Sequence, residues 1–161
     1  MDISQIMAKM VAYSNGNLHD INHFLKVYAY AKTIGECEQL DAFKQECLEI
    51  AAIVHDIACP LCREKFGTTA GPYQEKEGMI LTREFLADCG LAEKTLERVV
   101  YLVGHHHTLN GVDGMDYQIL LEADYLVNAD ESGYSRENIE NTLARIFKTS
   151  TGSSLLNSIY L

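Results

Sequence analysis

The chain has 161 residues, 47% of them hydrophobic and 22% charged, with two prolines and no tryptophan. That length and balance describe one soluble globular domain with room for a real core. The excess of 23 acidic over 13 basic residues, a net charge of −10, argues against a nucleic-acid groove, which needs a basic stripe.

No run is long and apolar enough to span a bilayer. The N-terminus Met1-Asp2-Ile3-Ser4-Gln5-Ile6 lacks a basic region leading into an apolar run, so no secretory leader is expected. Five cysteines, Cys37, Cys47, Cys59, Cys62 and Cys89, form no even framework. They read as reduced thiols in a cytoplasmic protein.

In chain order, Ile3, Ile6, Met7, Met10 and Val11 are spaced as on a helix over 3–13, which Ser14-Asn15-Gly16-Asn17 then breaks. Residues 18–37 predict a long helix with His23 beside its apolar face. Asp41 is the expected N-cap of the next helix, which runs into His55-Asp56 and is expected to stop near Pro60. The stretch 62–73 reads as irregular. A helix is expected from about Gln74 to a Gly90 C-cap, and another from Glu93 to His107. After the loop 110–114, Asp116 or Tyr117 opens a nearly all-apolar helix through Asp124; Ser135 caps the first of two closing amphipathic helices. No segment alternates at period two for long, so the expectation is an all-α domain of about seven to nine helices.

The segment Leu48 to Ala58 is apolar on nearly every side except at Glu49 and the pair His55-Asp56. Such a helix is buried, and a buried imidazole and carboxylate need partners. All six histidines fall in three places, His19 and His23, His55, and the triplet His105-His106-His107, while a fourth apolar helix offers Asp124. Core-facing helices that each insert a His or Asp suggest a metal site inside a bundle. Imidazole with carboxylate suits Fe, Mn, Zn, Co or Ni. Cys59-Pro60-Leu61-Cys62 has no second CxxC and no preceding strand, so it reads as two ordinary thiols beside the site.

His23, His55-Asp56 and Asp124, in that order on helices, resemble the H…HD…D signature of the HD-domain metal-dependent phosphohydrolase superfamily. The contexts Asn22-His23-Phe24-Leu25-Lys26-Val27, Ile50-Ala51-Ala52-Ile53-Val54-His55-Asp56-Ile57 and Glu122-Ala123-Asp124-Tyr125-Leu126-Val127 are similar to the family's segments. The segments Val103-Gly104-His105-His106-His107 and Asp116-Tyr117-Gln118-Ile119-Leu120 are similar to those of small stand-alone bacterial members.

The resemblance implies a single HD domain over 1–161, its core at about 18–147 with the terminal helices packed on it. It implies a metal held in that core by His23, His55, Asp56 and Asp124. His105 and His106 fit the later of the positions that serve a second ion; the earlier one falls at Gln74, a weak ligand. Ala58-Cys59 stands where Gly-Lys is common. The implied activity is metal-assisted hydrolysis of a nucleotide or another small phosphate ester, with Asp56 orienting the attacking water and His106 or Lys76 neutralising charge on the phosphoryl group. The alternatives are an HD-fold di-iron oxygenase and a metal-binding regulatory module without turnover. Neither a membrane nor a nucleic-acid polymer is an expected partner, and a homodimer is left open.

Overall fold

The computed structural model describes all 161 residues as nine helices and no strand: α1 (Ile3–Tyr13), α2 (Leu18–Cys37), α3 (Ala42–Val54), α4 (Cys59–Phe66), α5 (Gly71–Leu86), α6 (Glu93–Val103), α7 (Met115–Glu131), α8 (Arg136–Arg145) and α9 (Ser150–Tyr160). The all-α expectation holds. Helix starts follow local chemistry. Asp2 and Gln5 form a reciprocal capping box on α1, and Asn17, Asp41, Ser135 and Thr149 each accept from a backbone N–H of the first turn of their helix.

Helices α2, α3 and α7 pack on one another, with α6 against α3 and α5 against α6. One contiguous apolar core runs from Ile6 to Leu156. In α3 every residue from Cys47 to Val54 is buried. Buried Glu49 is satisfied by Tyr28 Oη at 3.1 Å, Lys32 Nζ at 3.1 Å and Gln45 Nε2 at 3.0 Å, as a buried carboxylate requires. No helix is long and apolar enough to cross a membrane.

Three boundaries differ from expectation, and all three bear on the site. First, α3 ends at Val54, and residues 55–58 form a turn closed by Ile57 N–H to Val54 O and Cys59 N–H to Asp56 O, both 2.9 Å. Pro60 therefore opens α4 instead of stopping α3, since the first helical turn has no use for the missing N–H. Helix α4 ends on Gly67, whose φ of 66° is left-handed. Second, α5 starts at Gly71, where an added Cβ would lie 2.9 Å from His107 Cβ, and it ends at Leu86, before the expected Gly90. Third, α6 stops at Val103, so the histidine triplet follows the helix in a turn.

Candidate metal centre

Three segments bring polar atoms to one point. Helix α2 supplies His23, the 55–58 turn supplies His55 and Asp56, and α7 supplies Asp124. His23 Nε2 lies 3.1 Å from His55 Nε2, 3.1 Å from Asp124 Oδ1 and 3.1 Å from Asp56 Oδ2. His55 Nε2 lies 3.5 Å from Asp56 Oδ2 and 3.4 Å from Asp124 Oδ1. Ligand atoms about 2.0–2.1 Å from a shared ion sit roughly 3.0–3.4 Å from one another, the lower value for octahedral neighbours and the upper for tetrahedral ones. His23 Nε2, His55 Nε2 and Asp56 Oδ2 come close to that spacing and form a possible metal-holding group, and Asp124 Oδ1 stands at a similar distance from both histidines.

Proton assignment points the same way. The Nδ1 of His23 faces Glu131 Oε2 at 2.8 Å, and that of His55 faces the Ala52 carbonyl at 2.8 Å. Each pairing places the proton on Nδ1 and leaves Nε2 with a lone pair directed inward. Two imidazole lone pairs and two carboxylate oxygens facing one another repel unless a positive charge, a proton or a metal ion, lies between them. The donor set therefore fits a divalent transition metal.

A second cluster shares Asp56. Its Oδ1 lies 3.3 Å from His106 Nε2, and Asp56, His106 and His107 together form a possible metal-binding group. His106 Nδ1 donates to the Val103 carbonyl at 2.7 Å, and its buried Nε2 has no hydrogen-bond partner. His107 Nε2 lies 3.2 Å from Gln74 Oε1, while Gln74 Nε2 donates to Thr69 O at 2.6 Å. Gln74 is thus turned so that its oxygen, the only atom it could offer a metal, faces the histidine.

The HD-domain family profile matches residues 20–148, most of the chain and every residue of both clusters. The chain belongs to the HD-domain family. A solved structure of similar fold is a predicted HD superfamily hydrolase from an uncultured Thermotogales bacterium. It superposes with a TM-score of 0.69 at 22% identity, covering 98% of this chain and 84% of that one. None of the curated proteins matches.

Within this HD domain, the structure brings together His23, His55, Asp56, Asp124 and His106, as the sequence suggested. It does not bring His105 with them. That ring turns outward, stacks on Tyr101 with centroids 4.0 Å apart, and places Nδ1 2.7 Å from the Tyr101 carbonyl. His107 takes the place expected of His105. Directions 100° apart along a helix do not apply to residues in a turn, and this turn is fixed by remote partners. Tyr117 Oη donates to the His105 carbonyl at 2.9 Å, and Glu75 Oε1 accepts from His107 N–H at 3.1 Å and from Thr108 Oγ1 at 2.8 Å. Lys76 is exposed and lines none of the site.

Three further residues complete the site and carry no local sequence signal. Glu131 orients His23, and lies at i+7 from Asp124 on α7, so the two share a face. Asp20 and Arg63 form a bidentate pair at 2.8 Å and 2.8 Å on the wall of a cavity of ≈ 340 Å³ that opens on the cluster. His19 sits at its mouth, 3.9 Å from Glu131.

Electrostatics favour a cation throughout. Burial opposes a charged His23, yet with no ion between them hydrogen bonds to Asp124 and Asp56 push its pKa up to about 11, so a proton on Nε2 takes the place that a metal ion would fill. Burial also opposes ionisation of Asp56 and Asp124. For Asp56 the nearby His55, His106 and His23 outweigh it, and for Asp124 the nearby His23 and His55 do, so both lie well below the usual carboxylate range. Desolvation on its inner side, with His106 alongside, holds His107 down at about 4, although its outer side is exposed. Such a neutral imidazole is what ligation needs. The Cys59 thiol is buried on the cavity wall, where desolvation and the charge of Asp56 push its pKa far up. It is an inert thiol, as the reading of the CxxC implied.

Proposed function

We propose that the chain is a divalent-metal-dependent phosphohydrolase acting on a small phosphate monoester, a nucleotide or a molecule of similar size. The observation that supports it best is the division of Asp56, whose Oδ2 faces the His23–His55–Asp124 cluster and whose Oδ1 faces His106. The solved neighbour's description as a hydrolase agrees with this reading.

When bound, a divalent ion would lower the pKa of water and polarise a phosphoryl oxygen. The chain's own groups supply the rest. Asp56 accepts the proton of the attacking water as its oxygen bonds to phosphorus and the ester P–O bond breaks. His106, aimed at Asp56 through Nε2, balances charge that develops on the phosphoryl oxygens. Asp56 passes that proton on to the departing oxygen, which leaves as the neutral alcohol.

Lining charge narrows the substrate. Asp20, Asp56, Asp124 and Glu131 face the cavity against the single guanidinium of Arg63, already held by Asp20. That balance of −3 becomes −1 with one divalent ion and +1 with two. A monoester phosphate can lodge on the ions, but a triphosphate would find no further cation. Thr69, Asn128, Ser132 and Tyr134 offer neutral hydrogen-bonding groups to the rest of the molecule, which suits a sugar or nucleoside body.

Phosphate release from a panel of nucleoside mono-, di- and triphosphates and sugar phosphates, with Mn, Co or Ni supplied, tests this. Turnover should appear with monoesters and be lost in Asp56→Ala. Metal-loaded protein that hydrolyses none of them would overturn the assignment.

A further inference from the structure

A second concavity, of ≈ 480 Å³, lies apart from the metal centre and shares no lining residue with its cavity. Leu109 and Val112 from the 108–114 loop, Met115 and Leu121 from α7, and Ile146 after α8 give it an apolar surface. Leu109 is 55% exposed and Met115 38%, so apolar area remains in water. Its volume falls in the range of small-molecule sites.

Both walls are held by polar networks, so the groove is preformed. Arg98 pins the loop through paired hydrogen bonds to Asp113, at 3.0 and 2.8 Å, and to Asp116, at 2.8 and 2.7 Å. Glu122 pins the other wall. Fully buried, it accepts from Lys148 N–H at 2.6 Å and Thr149 N–H at 3.0 Å, while Gln118 Nε2 donates to Ile146 O at 2.8 Å. A site that needs no ordering loses little affinity to binding entropy.

Charge defines the occupant. Of the 13 Lys and Arg residues, eight are ion-paired: Lys9, Lys32, Lys44, Arg63, Lys65, Arg83, Arg98 and Arg136. Arg145 and Lys148 are exposed, meet no carboxylate, and both stand at this groove, whose lining contains no acidic residue. In a chain of net charge −10, two free cations flanking an apolar floor are a local inversion of the surface field.

We propose that this groove binds a small anionic amphiphile, a molecule with a medium-length aliphatic or aromatic body and one carboxylate or phosphate head. The body displaces water from Leu109, Val112, Met115, Leu121 and Ile146, and the head meets Arg145 and Lys148. This site is independent of the metal centre and of the activity assigned to it.

Calorimetric titration of the full chain with sodium decanoate, sodium decanesulfonate, which has no ester bond to hydrolyse, and decyltrimethylammonium tests it. Either anion should bind saturably at one per chain, and the cation more weakly by at least about tenfold. The double variant R145E/K148E, at two exposed positions, should lose about tenfold or more in affinity for the anions with unchanged melting. K26E/K76E, an equal change in net charge at two other unpaired lysines, should bind as the parent does. Four outcomes would overturn the proposal: no saturable binding, equal binding of the cationic amphiphile, equal losses in the two double variants, or a dimer in sedimentation that Leu109→Asp dissociates and that excludes decanoate.

Discussion

Glu131 Oε2 accepts a hydrogen bond from His23 Nδ1 at 2.8 Å, across 108 positions of sequence. This bond fixes which ring nitrogen of His23 faces the cluster. Losing such an orienting partner typically costs 10- to 100-fold in metal affinity. Glu131→Ala should therefore bind Mn or Zn about 10- to 100-fold more weakly by competition titration, with Glu131→Gln recovering part of the loss because its amide oxygen can still accept. An unchanged affinity in Glu131→Ala would remove the residue from the site.

The histidine triplet gives a sharp contrast. His106→Ala and His107→Ala should each lower the number of ions per chain measured by mass spectrometry, and lower phosphate release with it. His105→Ala, whose ring stacks on Tyr101, should leave metal content unchanged. A loss of metal in His105→Ala as large as in His106→Ala would contradict the placement of the turn.

Removing the metal should destabilise the fold as well as silence the site, because two imidazoles and two carboxylates would then face one another. A ligand at a hundred times its Kd stabilises the native state by about 2.7 kcal/mol. Chelator-treated protein should melt several degrees lower than protein reloaded with Mn or Zn, and Asp124→Ala should abolish the difference.

Glu122 lies two residues before Asp124 and has a purely architectural role. It is fully buried and accepts from Gln118 Nε2, Lys148 N–H, Thr149 N–H and Thr149 Oγ1. Glu122→Ala leaves those donors buried and unpaired, a loss of about 3 kcal/mol or more. Denaturant unfolding would measure it, and a loss below about 1 kcal/mol would show that the donors find other acceptors.

Arg98 predicts a pH effect with a definite sign. Its hydrogen bonds hold Asp113 below the usual carboxylate range. A depressed folded pKa contributes stability that is present above the unfolded value and lost as pH falls through the folded one. Arg98→Met should therefore melt below the parent at neutral pH, and the gap should narrow as pH falls below about 4, the ordinary Asp value. A gap independent of pH would assign the effect to packing of the Arg98 stem instead.

The sequence by itself determined much of this protein, because the relevant signals are local. Apolar spacing set the limits of α1 and α2. Side-chain caps at Asp41 and Ser135 set the starts of α3 and α8. Polar residues in otherwise apolar segments marked His23, His55, Asp56 and Asp124, since burial without a partner is too costly to be accidental. Turns were less legible. Pro60 reads equally as a stop or a start, and only the packing around 55–58 shows that the HD pair sits between two helices.

The tertiary structure alone decided which histidines converge and what holds them. Periodicity gives a side chain's direction only within a regular helix, and residues 104–107 have left one. Their orientation depends on Tyr117, Glu75 and Tyr101, reached through the fold. Glu131 behind His23, and Arg63 against Asp20, are contacts between distant segments that no local pattern encodes. The division of Asp56 between two clusters follows from its place on a turn between helices, where one carboxylate can face both.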